Sequence, residues 1–294
     1  MARARWLGHV GRLLLVVAIL ALPASTFFAR RESAEWQRDL EDGGTWRRRL
    51  AATALGRVEG DDVRPALAAL LKVPLDTDPE VRAAVETSIR LLAPSAMRMV
   101  FAGAMLQGSH REPLRDLCVR ALLANPDTAM PALAAVMMSP QAPGRERSPA
   151  LLARFGLEAV PTITTLLRSA NPTARALAAT ALGLIGSEAH EHQELLAAGV
   201  RDKSTPVRLC VMDAMARVAP ESRQTLLAAR ELLLDPDPAV RRSALRALVG
   251  VALERLDAPD ASDAPRGDAS VQEAAAQDIL SEAIDALRAL SRER

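Results

Sequence analysis

Apolar residues recur three and four positions apart along most of the chain, which is the spacing of one face of an α-helix. Between Val207 and Val218, for example, valine, alanine and methionine side chains fall on one such face. Similar segments follow one another from residue 32 to residue 254, and short polar stretches that often contain proline separate them. Alanine and leucine dominate the apolar positions, while aromatic residues make up only 2% of the chain. This pattern predicts an all-α protein.

Seven of the segments align on one template with an arginine at a fixed position, which serine replaces once. The aligned residues are Arg48, Arg82, Arg115, Ser148, Arg175, Arg208 and Arg241. Their spacings are 34, 33, 33, 27, 33 and 33 residues. A second set of predicted helices lies before or between them, at 32–41, 63–71, 96–106, 128–138, 159–167, 192–200 and 222–234. The repeat is therefore a helical hairpin, and about seven hairpins must stack into an α-solenoid over residues 32–254 to bury their apolar faces.

The starts of the aligned helices carry capping signals. A residue whose side chain can accept the free amide hydrogens of the first turn precedes four of them. These residues are Asp78, Asn171, Ser204 and Asp237. The fourth repeat departs from the template, because Ser148 replaces its arginine and three prolines lie at 140, 143 and 149. We expect an irregular hairpin there.

Two short motifs accompany the repeat. Asp-Pro-x-Val-Arg occurs at 78–82 and 237–241, and Ala-Leu-Gly occurs at 54–56 and 181–183. A 33-residue period also fits ankyrin and tetratricopeptide repeats, but the Thr-Pro-Leu-His of ankyrin is absent and the tetratricopeptide pattern uses tyrosine, which this chain lacks. On these motifs, residues 32–254 resemble the HEAT family, in particular the short HEAT-like repeats of the bilin-lyase type. The resemblance implies an α-solenoid used as a general scaffold.

The N-terminus has the pattern of an export signal. Arg3, Arg5 and Arg12 precede an apolar run at 13–22, and Pro23 and Ala24 follow it. This order predicts a secretory signal over residues 1–30 that is cleaved after Ala24. Apolar character continues to residue 29, close to the length of about 17–25 residues that spans a membrane, so an uncleaved anchor at 13–29 is the alternative. Either way, we expect the remainder outside the cytoplasm.

The C-terminal part changes character twice. Residues 255–270 are rich in aspartate, alanine and proline, and this composition predicts a flexible linker. Residues 271–294 regain helical periodicity through Ile279, Ala283 and Leu287, which predicts an amphipathic helix. That helix either caps the last repeat, the role that terminal repeats need, or docks on a partner.

Charge and chemical motifs restrict the function. The formal net charge is +1, from 37 basic and 36 acidic residues, so we expect no nucleic-acid partner. Cys118 and Cys210 lie in apolar runs, which predicts buried thiols. His190 and His192 flank Glu191, but zinc sites use three or four protein ligands, so we expect a solvated loop there and no metal or other cofactor.

The resemblance also raises an enzymatic alternative. HEAT-fold deoxyhypusine hydroxylases hold two irons with several His-Glu pairs, whereas this chain has one such pair, at 190–191. Bilin lyases act on a tetrapyrrole, and no motif here indicates a pocket for one. No Gly-rich phosphate loop or nucleophile elbow is present. We therefore predict no enzyme, and keep an enzyme or enzyme subunit of the HEAT-like lyase type, handling a cofactor or small molecule, as the alternative.

Solenoids bind partners mainly on the concave face, which the second helices line. Positions next to the aligned arginine, and five residues after it, should project from the polar side of those helices. The candidate partner-binding residues are Arg49, Asp116, Arg120, Asp213, Arg242 and Arg246. The aligned arginines themselves are either an anion-binding series or, the interpretation we favour, links between repeats made with the aspartate of the preceding turn. The expected function is a protein-binding scaffold or adaptor with an unidentified protein partner.

Overall fold

A computed structural model describes residues 32–73, 76–105, 112–142, 144–257 and 281. The predicted signal at 1–30 lies outside these ranges, as do nearly all of the predicted linker and C-terminal helix. The described residues form helices and turns and no strand, which confirms the all-α prediction. None of the described helices is both long enough and apolar enough to span a membrane.

The chain divides into two compact units, and the first comprises Met1–Asn125. Its helices are α1 (Ser33–Asp42), α2 (Thr45–Leu55), α3 (Val63–Leu70), α4 (Pro79–Leu92), α5 (Met97–Ala104) and α6 (Glu112–Leu123). Helix α1 packs on α2, α3 on α4, and α5 on α6, while α2, α4 and α6 pack on one another in that order. The described part of this unit is thus a stack of helical hairpins joined through their second helices.

The second unit comprises Pro126–Arg294 and follows the same plan. Its helices are α7 (Pro126–Met138), α8 (Ser148–Ala153), α9 (Val160–Leu167), α10 (Pro172–Ile185), α11 (Glu194–Ala197), α12 (Thr205–Val218), α13 (Arg223–Leu232) and α14 (Pro238–Asp257). Successive helices pair as hairpins, and the second helices α8, α10, α12 and α14 pack in that order. Helix α14 ends at Asp257, two residues beyond the position 255 at which the linker was predicted to begin.

Small residues allow the second helices to approach closely. Gly183 on α10 faces Ala214 on α12, where an added Cβ would lie 2.7 Å from the Ala214 Cα and 2.9 Å from its Cβ. Gly56 after α2 meets Ser88 on α4 in the same way, at 2.8 Å from the Cα. These distances leave no room for a methyl group against a backbone atom. The contacts between hairpins therefore depend on glycine and alanine at these positions.

Three of the four predicted caps form, and the fourth does not. Asp78 accepts the amide hydrogen of Glu80 at 2.8 Å, and Asn171 and Asp237 act in the same way at their helices. Ser204 has the backbone conformation of a cap, but its side chain accepts no such bond. The reason is that Pro206 stands at the second helical position and has no N–H, while the next amide donates to the Ser204 carbonyl.

The irregular fourth hairpin is confirmed, and a second irregularity was not predicted. Helix α8 has six residues and lies between 3-10 turns at Arg145–Arg147 and Gly156–Ala159. The helix predicted at 192–200 is reduced to α11, with 3-10 segments at Gly186–His192 and Ala198–Arg201 on either side. Gly186, which begins the first 3-10 segment, has a φ of 76°, and Gly199 lies in the second 3-10 segment. A glycine therefore disfavours regular α-helix on each side of α11.

Candidate partner-binding surface

The aligned arginines connect consecutive hairpins. The guanidinium of Arg208 donates to the two carboxylate oxygens of Asp235, at 2.6 Å from Nε and 2.9 Å from Nη2. Arg175 binds Asp202 in the same bidentate way at 2.7 and 2.8 Å, and Arg48 binds Asp76 at 2.7 and 3.0 Å. We call these three pairs the Arg–Asp ladder. The geometry is that of strong, charge-assisted hydrogen bonding, and it assigns a structural role to these arginines.

The ladder differs in one respect from the prediction. The carboxylate comes from the connection that follows each arginine by 27 or 28 residues, not from the preceding turn. The preceding turn contributes its carbonyl oxygens instead, since Nη1 of Arg208 donates to the Asp202 carbonyl at 2.9 Å and Nη1 of Arg241 donates to the Asp235 carbonyl at 2.9 Å. In the second unit the bonds therefore run without interruption from Arg175 to Arg241.

The ladder carboxylates are held in their charged form. The hydrogen bond from Arg175 lowers the pKa of Asp202, and the amide hydrogen of Ser204 adds to the effect. Burial by itself would raise the pKa of Asp235, but the hydrogen bonds from Arg208 and from the Asp237 amide outweigh burial and lower it. Each aspartate thus remains a charged acceptor at neutral pH.

A first cleft lies between α4 and α6 and contains two of the predicted residues. It has a volume of about 340 Å³ and is lined by Arg82, Glu86, Glu112, Pro113, Asp116, Leu117 and Arg120. Arg120 reaches across to Glu86, with Nε 3.1 Å and Nη2 3.3 Å from the two carboxylate oxygens. Burial opposes ionisation of Glu86, but Arg120 and Arg90 together lower its pKa. The cleft therefore presents fixed charges of both signs.

A second cleft lies between α12 and α14 and contains two more predicted residues. It has a volume of about 210 Å³ and is lined by Asp213, Ala216, Arg217, Pro220, Ser243, Arg246, Ala247, Gly250 and Val251. The buried Ser243 donates its hydroxyl to Asp213, and Arg246 Nη2 lies 3.9 Å from the same carboxylate. The structure thus brings Asp213 and Arg246 close to each other, whereas Asp116 and Arg120 only line the same cleft and pair with other residues.

The other two predicted residues lie outside both clefts. Arg49 forms an exposed ion pair with Glu80, and Arg242 is exposed near the start of α14. Sequence reasoning missed Glu86 and Ser243, because each position was considered on its own helix. Comparing neighbouring repeats would have found Glu86, since it stands one position before the site that Arg120 occupies in the next repeat.

The cysteine and histidine predictions have separate outcomes. Cys118 is fully buried, and burial raises the pKa of its thiol to about 12. Cys210 is only half-buried, so the prediction of a buried thiol is wrong there; it is free, as is Cys118.

His190 and Glu191 lie in a 3-10 segment instead of a loop, and both are well exposed. In the ranges the structure describes, no group of three or more potential metal ligands occurs.

Fold and surface together define an all-α protein of stacked helical hairpins, whose second helices carry paired opposite charges around open clefts. No family model matches the chain, and no curated protein matches it. Among solved structures, the CpcE–CpcF complex of phycocyanin lyase from Nostoc sp. PCC7120 is similar at 18% identity, over 54% of this chain and 98% of that chain, with a TM-score of 0.39.

Two engineered proteins are also similar. One matches at 17% identity over 76% of this chain and 68% of its own, with a TM-score of 0.34. A computationally designed armadillo repeat protein for modular peptide recognition matches at 15% identity over 74% of this chain and 98% of its own, also with a TM-score of 0.34. At TM-scores this low the similarities carry no argument about function, and the architecture rests on the helix pairs described above.

Proposed function

We propose that the protein is a non-catalytic scaffold or adaptor that binds another protein through the second helices of about seven HEAT-like hairpins. One observation carries this proposal. Four residues chosen from repeat positions, Asp116, Arg120, Asp213 and Arg246, line clefts between neighbouring second helices. In each cleft an arginine of one helix faces a carboxylate of the preceding second helix. Each unit thus offers a cleft with paired charges between neighbouring second helices, the kind of surface on which helical repeats bind partners.

A polypeptide is the partner that fits this arrangement. Packed helices lie about 8–10 Å apart, and an extended chain advances about 3.3 Å per residue, so roughly three partner residues cover one hairpin. Both clefts carry arginines and carboxylates side by side, which favours a partner with both signs of charge. The phosphate backbone of a nucleic acid has only one.

The proposed location is outside the cytoplasm. Its support is the order of arginines, apolar run and small residue in residues 1–30. In this proposal residues 13–29 hold the protein in the membrane, or cleavage after Ala24 releases it. Attaching a periplasm-dependent reporter to the C-terminus tests the location, since such a reporter is active only if the repeats are exported. An inactive reporter on a stable, full-length fusion would refute it.

Charge reversal tests the binding surface. The full-length protein, tagged at its C-terminus, is cross-linked in cells and purified with its partners. The double variant Arg120→Glu and Arg246→Glu should lose its dominant partner, because both charges lie in the clefts. Controls are Arg64→Glu and Arg98→Glu, which change exposed arginines on the first helices α3 and α5. Their partner should be retained, and far-UV circular dichroism checks that all variants are folded.

The same purification separates the scaffold from the enzymatic alternative. Equal recovery of the partner by the cleft variant and the control variant would contradict the proposed surface. A bound chromophore or stoichiometric metal in protein from its native source would instead favour an enzyme or enzyme subunit. The scaffold proposal predicts a partner protein and neither of these.

A further inference from the structure

The repeat identifies the face of α14 on which a further second helix would pack. We count positions along each second helix from the aligned arginine, which is position 0. In the internal hairpins, the residue at position 8 packs against the residue at position 6 of the next second helix. Gly183 meets Ala214 in this way, and Gly56 meets Ser88. On α14, position 8 is Val249, so Val249 marks the face that a following helix would cover.

This face is apolar and keeps surface exposed to solvent. Among the described helices, α14 packs on α12 and α13. Val249 is partly exposed, and Leu253, one turn further along α14, is 51% exposed. An exposed apolar face at the end of a stack requires a terminal cap.

The segment 271–294 has the sequence pattern of one more second helix. Ser270 and Glu273 form the capping-box pattern Ser-x-x-Glu, which predicts a helix that begins at 271. With Gln277 at position 0, the segment is apolar wherever α10 faces the preceding hairpin or its own first helix. Positions 3, 6, 7 and 10 hold Ala178, Ala181, Leu182 and Ile185 in α10, and Leu280, Ala283, Ile284 and Leu287 in the segment.

Position 6 supports this alignment independently. It is the position that meets the preceding second helix, and it is alanine or serine in every repeat except the irregular fourth one. The segment has Ala283 there. A small residue at this position lets two second helices approach closely.

The other face of the segment is polar, unlike that of the internal second helices. Positions 1, 4 and 8 of α10 hold Ala176, Ala179 and Gly183, and all three are buried. The same positions of the segment hold Asp278, Ser281 and Asp285. Ser281, which the structure describes, is helical and exposed. A helix that is apolar towards the stack and polar on its outer side is what a terminal cap needs.

The connection is long enough for this arrangement. With Gln277 level with Arg241, residue 271 lies level with residue 235, which is 22 residues before the end of α14 at Asp257. The chain must therefore return by about 33 Å along the helix axis. The 13 residues 258–270 can extend to about 43 Å, so they can make this return without a first helix.

We propose that residues 271–294 form a final second helix that packs on the Val249 face of α14, parallel to it, and closes the stack as a half-repeat. The occupant of this face is thus a segment of the same chain. In this register Ala283 contacts Val249, and Glu282 at position 5 lies beside Arg246 at position 5, as Asp213 at position 5 does from the other side. The inference does not depend on the proposed scaffold function.

Engineered disulfides in the full-length protein test the register. In a background with Cys210→Ala, Val249→Cys is combined with Ala283→Cys or, as the matched control, with Asp285→Cys; Cys118 stays because it is fully buried. A disulfide needs α-carbons within about 7 Å. After mild oxidation, most molecules with the first pair should be cross-linked, and few with the control pair. Peptide mapping by mass spectrometry measures both yields, and non-reducing electrophoresis separates cross-linked dimers.

A stability measurement tests the same contact without cysteines. Ile284→Ala should lower the thermal unfolding midpoint by at least about 4 °C, because it removes a side chain that the proposed contact buries. The control Asp285→Ala, on the outer face, should change the midpoint by less than about 2 °C.

Three results would overturn the inference. Equal disulfide yields for the Ala283→Cys and Asp285→Cys pairs would show a segment without a fixed register on α14. No disulfide with Ala283→Cys would place the segment elsewhere. An unchanged midpoint in Ile284→Ala, together with loss of the cross-linked partner in cells, would show that the segment docks on the partner; the scaffold proposal would then stand while this inference fails.

Discussion

Replacing Arg208 with methionine removes the cation that neutralises a carboxylate only 4% exposed to solvent. Methionine keeps most of the aliphatic stem, so the loss is confined to the charged hydrogen bonds. Two bonds to Asp235, at 2.6 and 2.9 Å, disappear, and the Asp202 carbonyl loses a donor at 2.9 Å. Leaving one member of a buried ion pair without its partner costs about 3–5 kcal/mol. Because Asp235 keeps the amide hydrogen of Asp237, we expect about 3 kcal/mol.

Thermal unfolding followed by circular dichroism at 222 nm measures this cost. For a unit of this size, 3 kcal/mol lowers the unfolding midpoint by about 6–12 °C. The control is Arg201→Met, because Arg201 binds Glu231 with nearly the same geometry, at 2.6 and 3.0 Å, but with side chains 81% and 43% exposed. Solvent screening limits that exposed pair to about 1 kcal/mol or less.

The comparison isolates the effect of burial, because the Arg208–Asp235 and Arg201–Glu231 pairs have nearly the same hydrogen-bond distances but differ in the exposure of their side chains. If Arg208→Met costs no more than Arg201→Met, burial of the Asp235 carboxylate is not what makes the ladder strong, and the reasoning fails. The double variant Arg208→Met and Asp235→Leu should regain part of the loss, since an apolar pair leaves no uncompensated charge.

Four further predictions follow from individual contacts. Asp78→Ala should cost about 0.5–2 kcal/mol of unfolding free energy through the lost cap, whereas Ser204→Ala should change it by less than about 0.5 kcal/mol; equal losses in urea unfolding would contradict the cap assignment. Gly183→Ala should destabilise by about 1–3 kcal/mol, as the new methyl meets backbone atoms of α12, and an unchanged midpoint would show that the helices are further apart. Cys118, whose thiol pKa is raised to about 12, should resist iodoacetamide at pH 8 in the native protein and react after unfolding, as mass spectrometry can check. Because the pKa of Asp202 is lowered in the folded protein, the stability it contributes is present above the usual carboxyl pKa of about 3.9 and is lost as the pH falls further. Asp202→Asn should therefore lose less stability between about pH 4 and pH 2 than the wild type. Parallel curves of unfolding free energy against pH for the two proteins would refute this.

Most of the helices could be predicted from the sequence because a capping residue at the start and a helical spacing of apolar residues occur together in them. The helix Pro79–Leu92 begins directly after its capping aspartate and keeps one apolar face to its end. Where the signals are interrupted, the prediction failed. At 192–200 the apolar spacing predicts one α-helix, but glycines lie at 186 and 199, and the structure has only the four-residue helix Glu194–Ala197 between two 3-10 segments.

The candidate surface was only partly predictable because its pairs join different helices. Repeat position alone placed Asp116 and Asp213 in clefts, since equivalent positions face the same side in every hairpin. Arg242 occupies an equivalent position to Asp116 and still lies outside both clefts. A cleft pair also requires an opposite charge at the matching height of the neighbouring helix, and the register between two helices is set by packing that no local pattern contains.

The Arg–Asp ladder could also be predicted only in part, because its pairs join different hairpins. The aspartates at 76, 202 and 235 recur six positions before an aligned arginine, so their repetition was visible in the sequence. Their pairing with the arginine of the preceding hairpin depends on how the hairpins stack. Local reasoning therefore predicted a structural role for the arginines but assigned the acid to the wrong turn.

Photo-cross-linking in cells tests the central claim, recognition of a protein partner by the second helices, most directly. A photoreactive amino acid is placed at positions 116 and 213 on the second helices, and at positions 64 and 98 on the first helices. The account predicts that positions 116 and 213 cross-link to the same extracytoplasmic protein, and that positions 64 and 98 do not. Cross-links to that protein only from the first helices, or cross-links from none of the four positions in a folded, abundant protein, would contradict it.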